Sequence, residues 1–233
     1  MLLDMGADAS IKDNNKNNNT VLHLINLLLD QQRYSESLEL AQILLRNDQM
    51  LEEINLVNNL NKTILAYSVT HGDKNIELSR LLINNGALIY PEPEQPNNYN
   101  NAKSENEIVE IITKEHQQSV FKSFLAALME HQDLDDMKET LDLLCHTMAV
   151  NPSRMKKHVL RAMLIEGKAF NAHGPLFIRL KRLMAPYWSR PLTLKYSCMK
   201  QIRRSMGPKR LSRRGTSKLS LPGKLQKYIM YHV

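Results

Sequence analysis

An all-α fold is predicted for this chain of 233 residues, and three observations predict it. Apolar residues recur at i, i+3, i+4 and i+7 through most of the sequence, the period of a helix with one buried face. Only 8 glycines and 9 prolines are present, too few for the many tight turns of an all-β fold. The first ninety residues also contain segments that resemble one another, the mark of stacked repeat units.

The repeated segments are short and specific. Met1-Leu2-Leu3-Asp4-Met5-Gly6-Ala7-Asp8 reads like Leu81-Leu82-Ile83-Asn84-Asn85-Gly86-Ala87, a helix end closed by glycine. Gly6 and Gly86 fall where a helix end calls for a left-handed residue. Thr20-Val21-Leu22-His23 and Thr63-Ile64-Leu65-Ala66 each open a helix, with the threonine as N-cap. A second helix is expected from Ser37 to Leu45, with Leu38, Ala41, Ile43, Leu44 and Leu45 apolar. These motifs resemble ankyrin repeats, whose units of about 33 residues each hold a turn and two antiparallel helices. In that family the first helix opens Thr-Pro-Leu-His, so Val21 stands in the proline position. His23 then reads as a hydrogen-bonded turn residue rather than a ligand or base. The 43-residue interval from Thr20 to Thr63 implies an insertion, placed at Asn47 to Asn61. By this resemblance Met1 falls inside a repeat, which predicts a fragment or a truncated gene model.

Residues 91 to 107 read as a linker rich in proline and asparagine, with Pro91, Pro93 and Pro96. Asparagine runs at 14 to 19 and 97 to 101 read as solvated loops. Residues 108 to 188 then form a helical region. Helices are predicted over 108 to 131, Asp133 to Ala149, Ser153 to Glu166 and Pro175 to Met184. Degenerate ankyrin-like pairs and a separate helical bridge both fit that region's pattern.

The last forty residues carry the main candidate site. Leu194, Cys198 and Ile202 stand at i, i+4 and i+8, one narrow apolar stripe among Lys195, Lys200, Arg203 and Arg204. A short apolar ridge on a basic helix suits a partner's groove. The run Thr193-Leu194-Lys195-Tyr196-Ser197-Cys198-Met199-Lys200-Gln201-Ile202 resembles the first half of a SOCS box. The family pattern is Ser/Thr/Pro-Leu, then Cys and an aliphatic residue at successive four-residue steps. The resemblance implies that Thr193, Leu194, Cys198 and Ile202 dock on elongin C, with Leu194 as anchor. The second half of the box, implied to select the cullin, is matched by Leu221, Pro222, Leu225, Tyr228 and Ile229. Ser220 stands where that family has its first proline. Residues 189 to 233 would then form a three-helix box.

Together these features resemble the ankyrin-repeat and SOCS-box family. The resemblance implies an ankyrin solenoid, a helical segment and a C-terminal SOCS box. It also implies a non-catalytic adaptor that holds an unidentified protein substrate on its repeats and recruits elongin B, elongin C, a cullin and a RING-box protein. No cofactor or metal is expected, and a cytoplasmic location, extending to the nucleus, is.

Composition bounds the alternatives. Cys145 and Cys198 form neither a disulfide framework nor a zinc-ligand spacing. No apolar run is long enough to span a membrane, and Met1 to Met5 lacks the features of a signal peptide. No phosphate-binding loop, metalloprotease motif or nucleophile elbow occurs. Cys145 and His146 are neighbours that a helix points in different directions, a core residue and a surface residue. Asp133, Asp135 and Asp136 suit a helix N-terminus better than a calcium loop. Charge is sharply divided: residues 1 to 150 hold 11 Lys/Arg and 23 Asp/Glu, a net of −12, and residues 151 to 233 hold 20 and one, a net of +19. The stretch Gly207 to Lys218 is basic but has no aromatic residue for stacking on bases, and reads as a solvated loop. Two rivals stay open: an ankyrin scaffold without a ligase role, and a nucleic-acid-binding protein that uses the basic half.

Overall fold

Each helix of this chain has one apolar stripe and cannot bury it alone, so the helices associate in pairs and the pairs stack. The computed structural model describes residues 5, 7–8, 11–14, 17–89, 119–131, 133–149, 152–165, 174–189, 197–198, 201–202, 205 and 222. The first pair is α1 (Ile25–Asp30), preceded by a 3-10 turn (Val21–Leu24), and α2 (Tyr34–Leu44). After a short α3 (Asp48–Glu53) the second pair follows, α4 (Ile64–Ser68) and α5 (Ile76–Asn84), joined by a 3-10 segment (Val69–Asn75). The third pair is α6 (Val120–His131) and α7 (Lys138–Met148); the fourth is α8 (Pro152–Ile165) and α9 (Gly174–Ser189). No strand occurs among the described residues, so the all-α expectation holds.

The packing order is regular. α1, α4, α6 and α8 form one layer, each touching the next, and α2, α5, α7 and α9 form the other. The helices of 120 to 189 therefore continue the stack begun at Val21. Their buried apolar residues join those of the first two pairs in a single cluster that runs from Leu22 to Met184. Phe121 and Phe124 are its largest members, fully buried with centroids 6.0 Å apart. Residues 91 to 107 lie outside the described residues, but the backbone on either side is joined: Val120 N–H donates to the Ile89 carbonyl at 3.2 Å.

Gly86 closes α5 with φ of 100°. Ala87 N–H reaches back to the Leu82 carbonyl at 3.0 Å and Gly86 N–H to that of Ile83 at 3.2 Å. This is the glycine-terminated helix end expected from the sequence. Gly6 lies outside the described residues.

Several boundaries differ from expectation, each for a packing reason. The second helix starts at Tyr34 rather than Ser37, because Ser37 is fully buried and bonds its hydroxyl to the Tyr34 carbonyl at 2.7 Å. The predicted insertion contains α3, capped where Asn47 Oδ1 accepts from Gln49 N–H at 2.9 Å. Met50 and the following Ile54 are buried, which anchors that helix to the stack. Asn55 then holds the next turn, donating to the Gly86 carbonyl at 3.0 Å and accepting from Leu88 N–H at 2.8 Å. The last helix runs through Pro186 to Ser189 rather than ending at Met184. Tyr187 and Trp188 pack on the core beyond the proline, and that burial outweighs one lost backbone bond. The earlier part of the predicted helix over 108 to 131 lies outside the described residues.

Candidate functional site

The loops that precede each first helix form a ladder, and threonine and asparagine build it. Thr63 caps its helix, its Oγ1 accepting from Ala66 N–H at 3.2 Å. Thr20 and His23 form a capping box in the same register. Two residues before each threonine stands an asparagine in the left-handed region, Asn18 with φ of 48° and Asn61 with φ of 55°. Asparagine is among the few side chains that adopt this conformation readily. Both landmarks recur at the same 43-residue interval, so the two loops are structurally equivalent.

The Asn-rich run at 17 to 19 is not a free solvated loop. Asn59 N–H donates to the Asn17 carbonyl at 2.9 Å, and Asn18 Nδ2 donates to Asn59 Oδ1 at 3.1 Å. Asn58 is buried, 3% exposed, and its side chain is fully engaged. Its Nδ2 donates to Asn19 Oδ1 and to the Tyr67 hydroxyl, both at 2.9 Å. Its Oδ1 accepts from Leu60 N–H at 3.0 Å and Lys62 N–H at 3.2 Å. A buried amide satisfied on both ends fixes the register of the two loops. At the exposed edge of this ladder Ile11 and Leu60 remain in solvent, 66% and 54% exposed.

His23 is 3% exposed and bridges the same loops. Its Nδ1 accepts from Thr20 N–H at 3.2 Å, which places the ring proton on Nε2, and Nε2 donates to the Lys62 carbonyl at 2.9 Å. The histidine is thus the hydrogen-bonded turn residue expected. Burial pushes its pKa below the ordinary 6.5, and the bond to the Lys62 carbonyl opposes this only in part. A lowered folded-state pKa means that the unfolded chain binds the proton more readily. The His23 contribution is therefore complete above about pH 6.5 and is lost as pH falls through the folded-state value. His146 runs the other way. Its hydrogen bond to Asp142 raises its pKa, so its contribution is present at low pH and lost as pH rises. The expected result is that urea midpoints of a His146→Ala background fall between about pH 7 and pH 5, and that adding His23→Gln flattens that slope. An unchanged slope would show that His23 is not buried neutral.

A second inter-pair tie involves Asp73, on the 3-10 segment of the second pair. Its carboxylate accepts from Glu139 N–H at 2.9 Å, Thr140 N–H at 2.7 Å and the Thr140 hydroxyl at 2.9 Å. It caps α7 from outside, using the free N–H groups and positive end of that helix. Sequence reasoning missed Asp73 and Asn58, because each works on a residue far along the chain.

On the third pair, Cys145 and His146 part as expected. Cys145 is 1% exposed and burial pushes its thiol far above its usual range, which keeps it protonated. His146 lies at the surface, its Nδ1 3.2 Å from Asp142 Oδ2, with its ring edge-on to Tyr187 at 5.1 Å. The Tyr187 hydroxyl donates to Asp142, which links α9 to α7. Partial burial works against the charged Asp142, but the bonds from His146 and Tyr187 prevail and lower its pKa. Arg179 adds an ion pair to Asp135 at 2.6 Å.

Of the C-terminal stripe, only part falls within the described residues. Ser197, Cys198, Gln201, Ile202 and Ser205 are helical, and the Ser205 hydroxyl donates to the Gln201 carbonyl at 2.9 Å. Cys198 is exposed, whereas Ile202 is half-buried and packs against the chain's own core. Pro222 is exposed. Thr193, Leu194, Leu221, Leu225, Tyr228 and Ile229 lie outside the described residues, as does the basic stretch Gly207 to Lys218. Among the described residues no group of three or more His, Cys, Asp or Glu is placed to hold a metal ion, and no helix is long and apolar enough to cross a membrane. No protein-family model, no curated protein and no solved structure matches the chain.

Proposed function

We propose that this chain is a substrate-recognition adaptor of an elongin B/C–cullin–RING ubiquitin ligase. The observation that carries the reading is the run Thr193 to Ile202, which satisfies the elongin-docking pattern of a SOCS box at every fixed position. Stacked helix pairs upstream support it, because they supply a rigid surface for cargo. In this reading the pairs are ankyrin repeats, and the loop edge with exposed Ile11 and Leu60 faces a protein substrate. The C-terminal box then holds elongin C through Thr193, Leu194, Cys198 and Ile202, and the cullin with its RING-box protein through Leu221, Pro222, Leu225, Tyr228 and Ile229. Ubiquitin reaches the substrate because both are held on one scaffold, an effective-concentration effect. The chain itself supplies no catalytic group to this task.

Co-expression with elongin B and elongin C tests the proposal. The complex is expected to co-purify, and Leu194→Ala with Cys198→Ala is expected to weaken it by roughly a hundredfold, the loss typical of anchor residues in a groove. Co-purification untouched by those substitutions would remove the box assignment.

One observation favours a second reading. Ile202 packs against the chain's own core, as it would if the terminal helix only completed the stack. The chain is then a repeat scaffold without a ligase role. Absence of elongin C from the purified protein at every salt concentration would select it.

A further inference from the structure

The two ends of the stack are complementary. On the first pair, Leu24, Leu27 and Ile43 are 39%, 58% and 53% exposed. These are large apolar side chains on helices whose opposite stripes are buried. Their place in the repeat explains them. Tyr67 and His71 stand 43 residues after Leu24 and Leu28 in the equivalent helix of the second pair. There they face the preceding pair: Tyr67 packs edge-on to His23 at 6.4 Å and His71 to Tyr34 at 5.9 Å. Leu24 and Leu28 thus occupy positions that, one pair further on, receive a neighbouring helix pair. Exposed acids surround this face, with Asp30, Glu36 and Glu39 on the same two helices.

The far end has the same apolar character and the opposite charge. On α8, Lys156, Lys157 and Leu160 share an exposed stripe. On α9, Ile178, Lys181 and Arg182 share another, turned away from the α7 side that Arg179 and Tyr187 reach. Leu160 and Ile178 are 37% and 53% exposed. Neither α8 nor α9 contains an acidic residue. Exposed aliphatic side chains among the lysines suit a protein surface better than phosphates, which need no apolar contact and gain from aromatic stacking.

We propose that a second copy of this chain is the occupant of each end, the acidic aliphatic face of the first pair in one copy docking on the basic aliphatic face of the fourth pair in another. The contact extends the two-layer packing of the stack from one molecule into the next. It is heterologous, so it generates head-to-tail oligomers rather than a closed symmetric dimer. It does not depend on what the C-terminal segment recruits.

Sedimentation velocity on the full chain tests this. The weight-average sedimentation coefficient is expected to rise between about 1 and 100 μM protein, the range of a modest interface. The rise should shrink at about 0.5 M salt, where opposite charges are screened. Leu27→Glu with Ile43→Glu, and separately Lys156→Glu with Lys157→Glu, should each weaken association at least tenfold. Mixing the two variants should restore heterodimers that grow no further, because each retains one intact end. Circular dichroism identical to wild type confirms that the variants are folded. A monomer across the whole concentration range would overturn the proposal. So would a dimer abolished by substitutions at one end and indifferent to those at the other, which is the signature of a symmetric contact.

Discussion

Gly72→Ala is expected to destabilise the protein by about 2–5 kcal/mol, through backbone strain and overpacking together. Gly72 has φ of 61° and ψ of −146°, a conformation essentially restricted to glycine. A Cβ built there would stand 2.7 Å from the Asp136 carbonyl oxygen and 3.2 Å from Met137 Cγ. The methionine can move, but the carbonyl is backbone. Shifting it would disturb the start of α7, which Asp73, the next residue along from Gly72, holds through Glu139 and Thr140 N–H. The close approach is therefore part of how the second pair receives the third. Gly174 provides the control, because a Cβ there meets nothing within 4 Å. Gly174→Ala should change stability by less than about 0.5 kcal/mol. Urea denaturation of both variants makes the comparison, and equal midpoints would contradict the packing of Gly72 against Asp136.

Phe124→Ala is expected to cost about 3–5 kcal/mol, the range for emptying a fully buried aromatic position. Phe124 is fully buried and stacks on Phe121 at 6.0 Å. Both lie on α6, which touches α4 and the Val69–Asn75 segment on one side and α8 on the other. A cavity there weakens the middle of the stack rather than an end. In a solenoid, stability is a sum of units and nearest-neighbour contacts, so a lost central contact uncouples what lies on either side. Hydrogen exchange should therefore accelerate in α4 and α8 more than in α2. A loss under about 1 kcal/mol, or faster exchange confined to α6, would show that the pairs do not share one cohesive core.

Legibility in the sequence follows the range of the interaction. The helices of 120 to 148 are readable because Phe121, Phe124, Leu128, Leu141, Leu144 and Met148 repeat with the period of a helix. Gly86 and Thr63 are readable because caps act within one turn of their own helix. Asp73 looks like an ordinary surface acid, since its partners lie 66 and 67 residues away. The asparagines at 17 to 19 look like a low-complexity loop for the same reason. One local signal does mark their role: Asn18 and Asn61 each precede a helix-opening threonine by two residues. Asparagine tolerates the left-handed region, so that coincidence of spacing points to one loop shape used twice.

By itself the sequence determined the helical class, the caps and the C-terminal pattern from Thr193 to Ile202. These depend on residues within a few turns of one another, where side-chain type and spacing settle conformation. Only the tertiary structure decided that the helices from Val21 to Ser189 form one two-layer stack. It alone also showed that Asn58, His23 and Asp73 fasten neighbouring pairs and that Leu24, Leu27 and Ile43 stay exposed at one end of it. The physical reason is that an isolated helix pair cannot bury its apolar stripe. Which stripe meets which is chosen by long-range packing and by buried polar groups that must find partners across the chain.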